Sequence, residues 1–485
     1  MEKDKKNTYW KSIEEFKSPK PFKEAAMNEF PDSIMEAPST MSRKKFLAIM
    51  GASIALAGLS GCRKPVQKIL PYVEQPEGTI PGIPKYYATA MPFGLNAFGI
   101  IVENHEGRPT HIEGNKNHPS SLGATNAIVQ ASILDLYDPD RSKSIRSNGK
   151  RSSWKKVAEQ LKTVNKKKTA ILSHSFSSPS MYAIRKELEK QGMSWYCYDP
   201  MSNENELEGI KRAYNKSAFA NYSLDKVDRI LSIDSDFLSQ DENPIKNTKD
   251  FSKNRKVTNH KNAKMNRLYV VEGSLTTTGA MADHRKRLKQ SEINEFVYKL
   301  WNCFSNNGKS SDSFIKEVYK DLKNNKGIVK GGSRLSAECH ELIVRMNHKL
   351  KSKGVKYATF ASTKAACPSD SIKYKKLIQD MKNGNIECLC ILDSNPIYFS
   401  KSKDGFREAL KQVPTSIHFG SYYDETASEC SWHIPKTHYL ESWGDARSID
   451  GTLSIIQPLI RPLYNSKSLN EFLSILVGES KSDYK

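Results

Sequence analysis

From Thr169 onward, short runs of consecutive apolar residues alternate with stretches whose apolar residues recur three and four positions apart. The runs Thr169–Ser173, Ser194–Tyr198, Arg229–Ile233, Arg267–Glu272, Tyr357–Ala361, Cys388–Leu392 and Thr415–Phe419 read as strands. The wider spacing predicts helices over Met181–Gln191, Glu206–Tyr214, Glu292–Cys303, Phe314–Leu322, Ser336–Leu350, Ile372–Met381 and Gly405–Lys411. Between Gln240 and Lys264 apolar residues are sparse, and a long surface excursion is expected there. Strands alternating with helices of this length predict parallel βαβ units in an open, doubly wound sheet. No period of 20–50 residues recurs, which excludes a solenoid.

The pattern differs upstream. Gly99–Asn104 and Pro109–Glu113, separated by Glu106-Gly107, predict a β-hairpin, and Ala127–Tyr137 has helical spacing. Residues 85–150 therefore read as a small β-rich domain and 151–485 as a Rossmann-like α/β region. Ahead of them, Pro65, Pro71, Pro76, Pro81 and Pro84 make 63–84 an extended tether, because proline fixes φ and removes a donor. Residues 1–41 form a polar leader with aromatic anchors at Trp10, Phe16, Phe22 and Phe30.

One apolar run stands apart. Phe46 to Leu59 follows Ser42-Arg43-Lys44-Lys45 and ends at Leu59-Ser60-Gly61-Cys62. A bilayer span needs roughly 20 apolar residues, so this run suits the apolar region of an export signal better than a permanent helix. Arg43, Lys44, Phe46 and Leu47 resemble a twin-arginine signal whose second arginine is replaced by lysine, an address read by a receptor. The small residues before Cys62 resemble a lipobox, so residues 42–62 imply export, cleavage before Cys62 and a lipid on its thiol. The plainer reading is a short buried helix that ends in a chance cysteine; the adjacent cations and crowded small residues weigh against it. The expected location is the periplasmic face of the inner membrane.

Cleavage there leaves about 420 residues, enough for two or three domains of roughly 100–200 residues. The formal charge is +21, but lysine is spread along the chain rather than gathered in a stripe. With no nucleic-acid motif, that spread points to a solvated surface and no nucleic-acid partner. Eight cysteines are present and none forms a C-x-x-C pair. An exported protein can carry disulfides, but with Cys62 lipidated at least one of the others stays unpaired. Cys388 and Cys390, two apart on a strand, share a face and read as small apolar packing.

In a doubly wound fold, ligands sit beyond the carboxyl ends of the strands. His174-Ser175, Asp234-Ser235-Asp236, Gly273-Ser274-Leu275-Thr276 and Asp393-Ser394-Asn395-Pro396 fall there. These residue types could hold a nucleotide-like ligand, but they are equally what turns and helix caps prefer. With no G-x-G-x-x-G and no Walker-A loop, turn chemistry is the better reading. No H-E-x-x-H or His/Cys ligand spacing indicates a metal, and adjacent Cys339-His340 would point apart on a helix. No G-x-S-x-G elbow marks a serine nucleophile.

Several stretches together resemble one family. Ile100-Ile101-Val102, Gly107-Arg108-Pro109, Glu113-Gly114, His118-Pro119 and Leu136-Tyr137-Asp138-Pro139-Asp140-Arg141 resemble the amino-terminal domain of molybdopterin oxidoreductases. Val270-Val271-Glu272 with Thr278-Gly279-Ala280-Met281-Ala282-Asp283 resembles their first Rossmann-like half, and Asp393-Ser394-Asn395-Pro396 their Asn-Pro loop. The leader from Trp10, the variant signal, Pro71-Tyr72-Val73-Glu74-Gln75-Pro76 and Leu440-Glu441-Ser442-Trp443-Gly444-Asp445-Ala446-Arg447 are similar to the iron–sulfur subunit family of alternative complex III.

The resemblance implies a small β-rich domain followed by doubly wound Rossmann-like domains, in a quinol-oxidising membrane complex. Catalytic relatives hold a 4Fe–4S cluster on thiolates in the first domain. Here no cysteine occurs between Cys62 and Cys197, and Ala124 stands where a last ligand is expected. The resemblance therefore implies a scaffold that binds no cofactor itself. It further implies 4Fe–4S and 3Fe–4S clusters on a ferredoxin-like iron–sulfur module, and haem c on a multihaem cytochrome c. Integral-membrane quinol-oxidising subunits complete the expected partners. Relative to that family the chain corresponds to the molybdopterin-like half only, and an incomplete carboxyl-terminal region is expected. The competing expectations are a catalytic molybdopterin oxidoreductase subunit and a periplasmic ligand-binding lipoprotein.

Overall fold

In the computed structural model, which describes residues 80–257, 265–358, 366–401, 404–479 and 482–483, the chain opens with an antiparallel sheet. Its strands are β1 (Lys85–Phe93), β2 (Asn96–His105) and β3 (Arg108–Gly114), in the order β1-β2-β3. The expected hairpin is β2–β3, and Glu106 (φ 52°) and Gly107 (φ 81°) supply the left-handed pair that a two-residue turn needs. Helix α1 (Ala127–Tyr137) starts where Asn126 Oδ1 accepts from Val129 N at 2.9 Å. It lays Val129 and Leu136 on Ile100, Val102 and Ile112. The leader, the signal residues Arg43, Lys44, Phe46 and Leu47, Cys62 and the tether up to residue 79 lie outside the described residues.

A larger sheet follows. The chain runs through β4 (Arg146–Ser147), β5 (Lys150–Arg151), α2 (Trp154–Thr163), β6 (Thr169–Ser173), α3 (Pro179–Lys190) and β7 (Ser194–Cys197). It then leaves to build α4 (Glu204–Tyr214), β8 (Phe219–Tyr222), β9 (Arg229–Ile233), α5 (Pro244–Lys253), β10 (Arg267–Glu272) and β11 (His284–Arg287). Next come α6 (Gln290–Ser305), α7 (Ser313–Asn324), β12 (Gly327–Gly331), α8 (Ala337–Lys349) and β13 (Val355–Ala358). It returns through α9 (Ser371–Lys382), β14 (Cys388–Leu392), β15 (Thr415–Gly420) and β16 (Trp432–Pro435), and closes with β17 (Gly444–Arg447), β18 (Leu453–Ile456) and α10 (Leu469–Val477).

The first sheet has the order β5-β4-β16-β15-β14-β6-β7, with β16 to β7 parallel and the β4–β5 hairpin antiparallel at one edge. The inserted sheet, β11-β10-β9-β12, is parallel throughout. This is the doubly wound, mostly parallel α/β architecture expected from sequence. Strand β14 shows why its residues read as a continuous apolar run. Cys388, Cys390 and Leu392 face α10 and its Phe472, while Leu389 and Ile391 face Leu377, Ile378 and Met381 of α9. Both faces are covered, so no position is left for a polar residue. Each large side chain so buried contributes roughly 1.5–3 kcal/mol.

A disulfide joins Cys197 to Cys367, 170 residues apart. Cys197 ends β7, where the chain leaves the first sheet, and Cys367 lies where it returns, bridged to Phe176 by paired backbone hydrogen bonds. The crosslink ties the two stalks of the inserted domain together. Cys388 and Cys390 are both buried in one core cluster, as their spacing indicates.

Two expectations need correction, and one strand was not foreseen. The polar stretch from Gln240 is not an excursion along its length, because 244–253 is helix α5. Ile245, Asn247 and Phe251 are buried, and the Phe251 ring meets Phe237 edge-on at 5.9 Å. Two apolar anchors six apart are enough once the domain supplies the other face, but too few to show a period. Residues 258–264 lie outside the described residues. Strand β12, between two glycines, sits inside a polar stretch and had no local signal. The strand expected at Tyr357–Ala361 is instead Val355–Ala358, pairing antiparallel with β8 apart from both large sheets; 359–361 fall outside the described residues.

Candidate functional site

Both parallel sheets reverse direction of growth beside a central strand, and both central strands end alike. Ile230-Leu231-Ser232-Ile233-Asp234-Ser235 and Leu389-Cys390-Ile391-Leu392-Asp393-Ser394 each carry an aspartate just past the last strand residue. Asp234 (φ 54°) and Asp393 (φ 52°) are both left-handed, a conformation that aspartate tolerates better than most residues. Each backbone N–H donates to the neighbouring strand's last turn, Asp234 to Val271 O at 2.8 Å and Asp393 to Phe419 O at 2.7 Å. These are the switch points where an α/β sheet presents ligands.

At both points the chain supplies its own counter-ion. Arg334 donates to both Asp234 carboxylate oxygens, with Nε to Oδ2 at 2.9 Å, and Gln290 Nε2 donates to Oδ2 at 2.9 Å. The Cβ of any residue other than glycine at 332 would lie 1.7 Å from Asp234 O, so backbone closes this mouth from the other side. In the first sheet, Lys436 pairs with Asp393. Beside it His174 Nδ1 lies 2.7 Å from Asp199 Oδ1. Burial works to lower the His174 pKa, but the Asp199 hydrogen bond and the charges of Asp199 and Asp393 outweigh it and raise the pKa above the ordinary value.

The strand-end loops named from sequence thus fall into two groups. His174-Ser175 and Asp393-Ser394-Asn395-Pro396 end adjacent strands of the first sheet, while Asp234-Ser235-Asp236 and Gly273-Ser274-Leu275-Thr276 end adjacent strands of the second. Several of their polar groups are bonded within the chain, while Ser394 Oγ is buried without a hydrogen-bond partner. Asp236 Oδ1 accepts from Thr278 N at 2.9 Å and Thr278 Oγ1 at 2.8 Å. Buried Glu272 accepts from Arg285 Nε and Thr276 Oγ1, and the contact requires glycine at 279, where a Cβ would lie 1.9 Å from Glu272 Oε1. Arg334, Gln290 and Lys436, which reach their carboxylates from distant segments, and Asp199, which reaches His174, were not legible beforehand.

Two further polar clusters border these mouths, with His418 beside Asp393 and Asp241 accepting from Ser235 Oγ. His418 Nδ1 meets His433 Nδ1 at 3.0 Å, and His433 Nε2 lies 2.5 Å from Ser142 Oγ. In the inserted domain, buried Lys330 lies 3.3 Å from Asp241 Oδ2 and 4.0 Å from the Tyr222 ring centroid, while Tyr222 Oη donates to Glu206 at 2.9 Å. Burial, then repulsion from Glu206, raises the pKa of neighbouring Glu242 to about 8.

A pterin-type cofactor, implied by the fold, can be tested against this geometry. Cavities for such ligands run to roughly 300–1,000 Å³. Where the β1–β2 turn, the loop after β6, β8 and the β17–β18 hairpin converge, around Leu95, Ser177, Phe219 and Arg447, the enclosed space is about 10 Å³. That is room for roughly one water. At the strand-end mouths both carboxylates are already paired with cations of the same chain, which leaves neither free for such a ligand. Among the described residues no group of three or more His, Cys, Asp or Glu is placed to hold a metal. Cys339 and His340 point to different partners, Asn294 and Gly332 O. No described helix is long and apolar enough to cross a membrane.

No protein-family profile matches the chain. The menaquinone reductase, molybdopterin-binding-like subunit of Nitratidesulfovibrio vulgaris is 20% identical over 475 aligned residues, covering 82% of this chain and 66% of that relative. The chain therefore spans just under two thirds of the relative's length. Among solved structures, acetylene hydratase from Pelobacter acetylenicus superposes with a TM-score of 0.61 at 12% identity, covering 79% of this chain and 68% of that one. This likeness supports the molybdopterin oxidoreductase-like fold.

Proposed function

We propose that this chain is a scaffold subunit of a quinone-linked respiratory oxidoreductase complex, binding no redox cofactor itself. One observation carries the reading: in a molybdopterin-type fold, both strand-end aspartates at the switch points are paired with cations of the same chain, Arg334 and Lys436. The similarity to a menaquinone reductase subunit described as molybdopterin-binding-like supports the complex. The absence of any cysteine between Cys62 and Cys197 supports placing the clusters elsewhere. At the finer level we assign it to an alternative complex III-like assembly. There it would dock an iron–sulfur ferredoxin-like module and a multihaem cytochrome c beside quinol-oxidising membrane subunits. Export through the variant signal and anchoring by a lipid on Cys62 complete the proposal, and the Cys197–Cys367 disulfide suits an oxidising compartment.

The test is metal analysis with optical and paramagnetic resonance spectra on protein from native membranes, alone and with whatever co-purifies. The isolated chain is expected to lack iron and molybdenum while the assembly carries clusters and haem. Stoichiometric molybdenum on the isolated chain overturns the scaffold reading. Separately, Cys62→Ser is expected to move the protein from the membrane to the soluble fraction once the partner subunits are deleted. Continued membrane retention there sinks the anchor.

A further inference from the structure

A trough of about 500 Å³ lies at the hairpin edge of the first sheet, remote from both strand-end mouths. One wall is the outer face of α2, where Lys156, Glu159, Gln160 and Thr163 follow helical spacing; the other is β5, with Lys150 and Arg151. Trp432, only partly buried, forms part of the lining, and so does Ser152, whose Oγ is buried without a hydrogen-bond partner. Elsewhere this protein pairs many of its cations: Arg141, Arg229, Arg255, Arg285 and Arg334 all meet carboxylates. Lys150, Arg151 and Lys156 form no ion pair with any described residue, and Glu159 is the lone acid beside them.

We infer that this trough docks an acidic, extended segment of a partner protein. Three unpaired cations around one concavity attract negative charge and set the on-rate of an acidic partner more than its final affinity. From Lys156 to Thr163 the wall is roughly 10 Å long at 1.5 Å per helical residue. That length holds about three residues of an extended chain at 3.3 Å each. The exposed part of Trp432 offers one apolar side chain a partner. The trough is open along its length, which suits a passing segment better than an enclosed small molecule. The inference does not depend on the scaffold reading.

The experiment uses the full chain and a fluorescein-labelled acidic hexapeptide with one central phenylalanine, followed by fluorescence anisotropy at low and moderate salt. K150E/R151E/K156E is expected to weaken binding about tenfold or more, while K309E/K316E/K320E, an equal charge change on a distant face, leaves it within about twofold. K150Q/R151Q/K156Q, which avoids crowding new carboxylates, is expected to lie between the two, and melting curves show that all three fold. Equal loss in both charge-reversed variants means the peptide reads net charge only, and overturns the site. Unchanged binding in the trough variants overturns it too. Displacement by millimolar inorganic phosphate as effective as that by unlabelled peptide makes it a small-anion site and overturns the segment.

Discussion

Arg141 and Glu441 make the most informative joint to break. Their side chains are 2% and 0% exposed, with Arg141 Nη2 2.7 Å from Glu441 Oε2. Arg141 Nη1 also donates to Leu136 O at 2.7 Å, closing the end of α1, and its guanidinium lies 5.3 Å from the Tyr464 ring centroid. Glu441 accepts in addition from His438 N at 2.7 Å and Leu463 N at 2.9 Å. Glu441→Gln keeps the shape, but its amide nitrogen cannot accept, so it loses one of the two backbone contacts and leaves a buried guanidinium unpaired, at a cost of about 3–5 kcal/mol. For about 400 residues melting together, an unfolding entropy of about 2.1 cal/mol/K per residue turns this into a fall of roughly 4–6 °C. R141M costs a similar amount, because it strands the carboxylate instead. The double variant R141M/E441Q strands neither charge and should cost less than the sum by about 2 kcal/mol. Thermal melts of the four proteins, followed by near-ultraviolet circular dichroism, measure the cycle. A fall below about 1 °C in E441Q, or strict additivity in the double variant, refutes the idea that this pair holds the amino-terminal domain to the carboxyl-terminal segment.

Opening the Cys197–Cys367 crosslink, by reduction or as C197S/C367S, removes a constraint on a loop of 170 residues and should destabilise the fold by about 2–5 kcal/mol. Protease sensitivity should rise first near 366–370; an unchanged melt under reductant refutes this. Burial, then His418 and Arg146, holds the His433 pKa near 3, so the unfolded chain binds a proton near pH 6.5 that the fold refuses. Stability is therefore full above 6.5 and drains as pH falls toward 3, and H433Q should show a shallower acid slope than wild type. Glu242 works in the opposite direction. With its folded pKa raised to about 8, its stabilising proton is held below 4.5 in both states and lost from the fold as pH rises through 8. E242Q should flatten the decline in melting temperature between pH 5 and 9, and an identical decline sinks the assignment.

Several motifs behind the family resemblance turn out to be structural joints. Asp138-Pro139-Asp140-Arg141 and Leu440-Glu441-Ser442 are the two halves of the buried pair, and Thr278, Gly279 and Asp283 serve turns around Glu272 and Leu268 N. The strands at 169–173, 229–233, 267–272 and 388–392 were legible because a strand covered on both faces needs an unbroken apolar run. Helix α5 and strand β12 were not, because each is anchored by few apolar residues and completed by neighbours distant in sequence. Asp234 and Asp393 were visible as strand-end residues, whereas Arg334, 100 residues past Asp234, carries no local mark of its role.

The sequence by itself determined the alternation of strand and helix, the two aspartates at strand ends, the lack of cysteine between Cys62 and Cys197 and the short apolar run before Cys62. These are properties of neighbouring residues, written in periods of two and about 3.6 or in plain composition. Only the tertiary structure decided that one parallel sheet is inserted into another and locked at its stalks by Cys197–Cys367. It alone decided that both switch-point carboxylates are paired from within, and that three cations on α2 and β5 face one trough. Such pairings depend on which distant segments the packing brings together, and a charged side chain shows its residue type in sequence but not its partner.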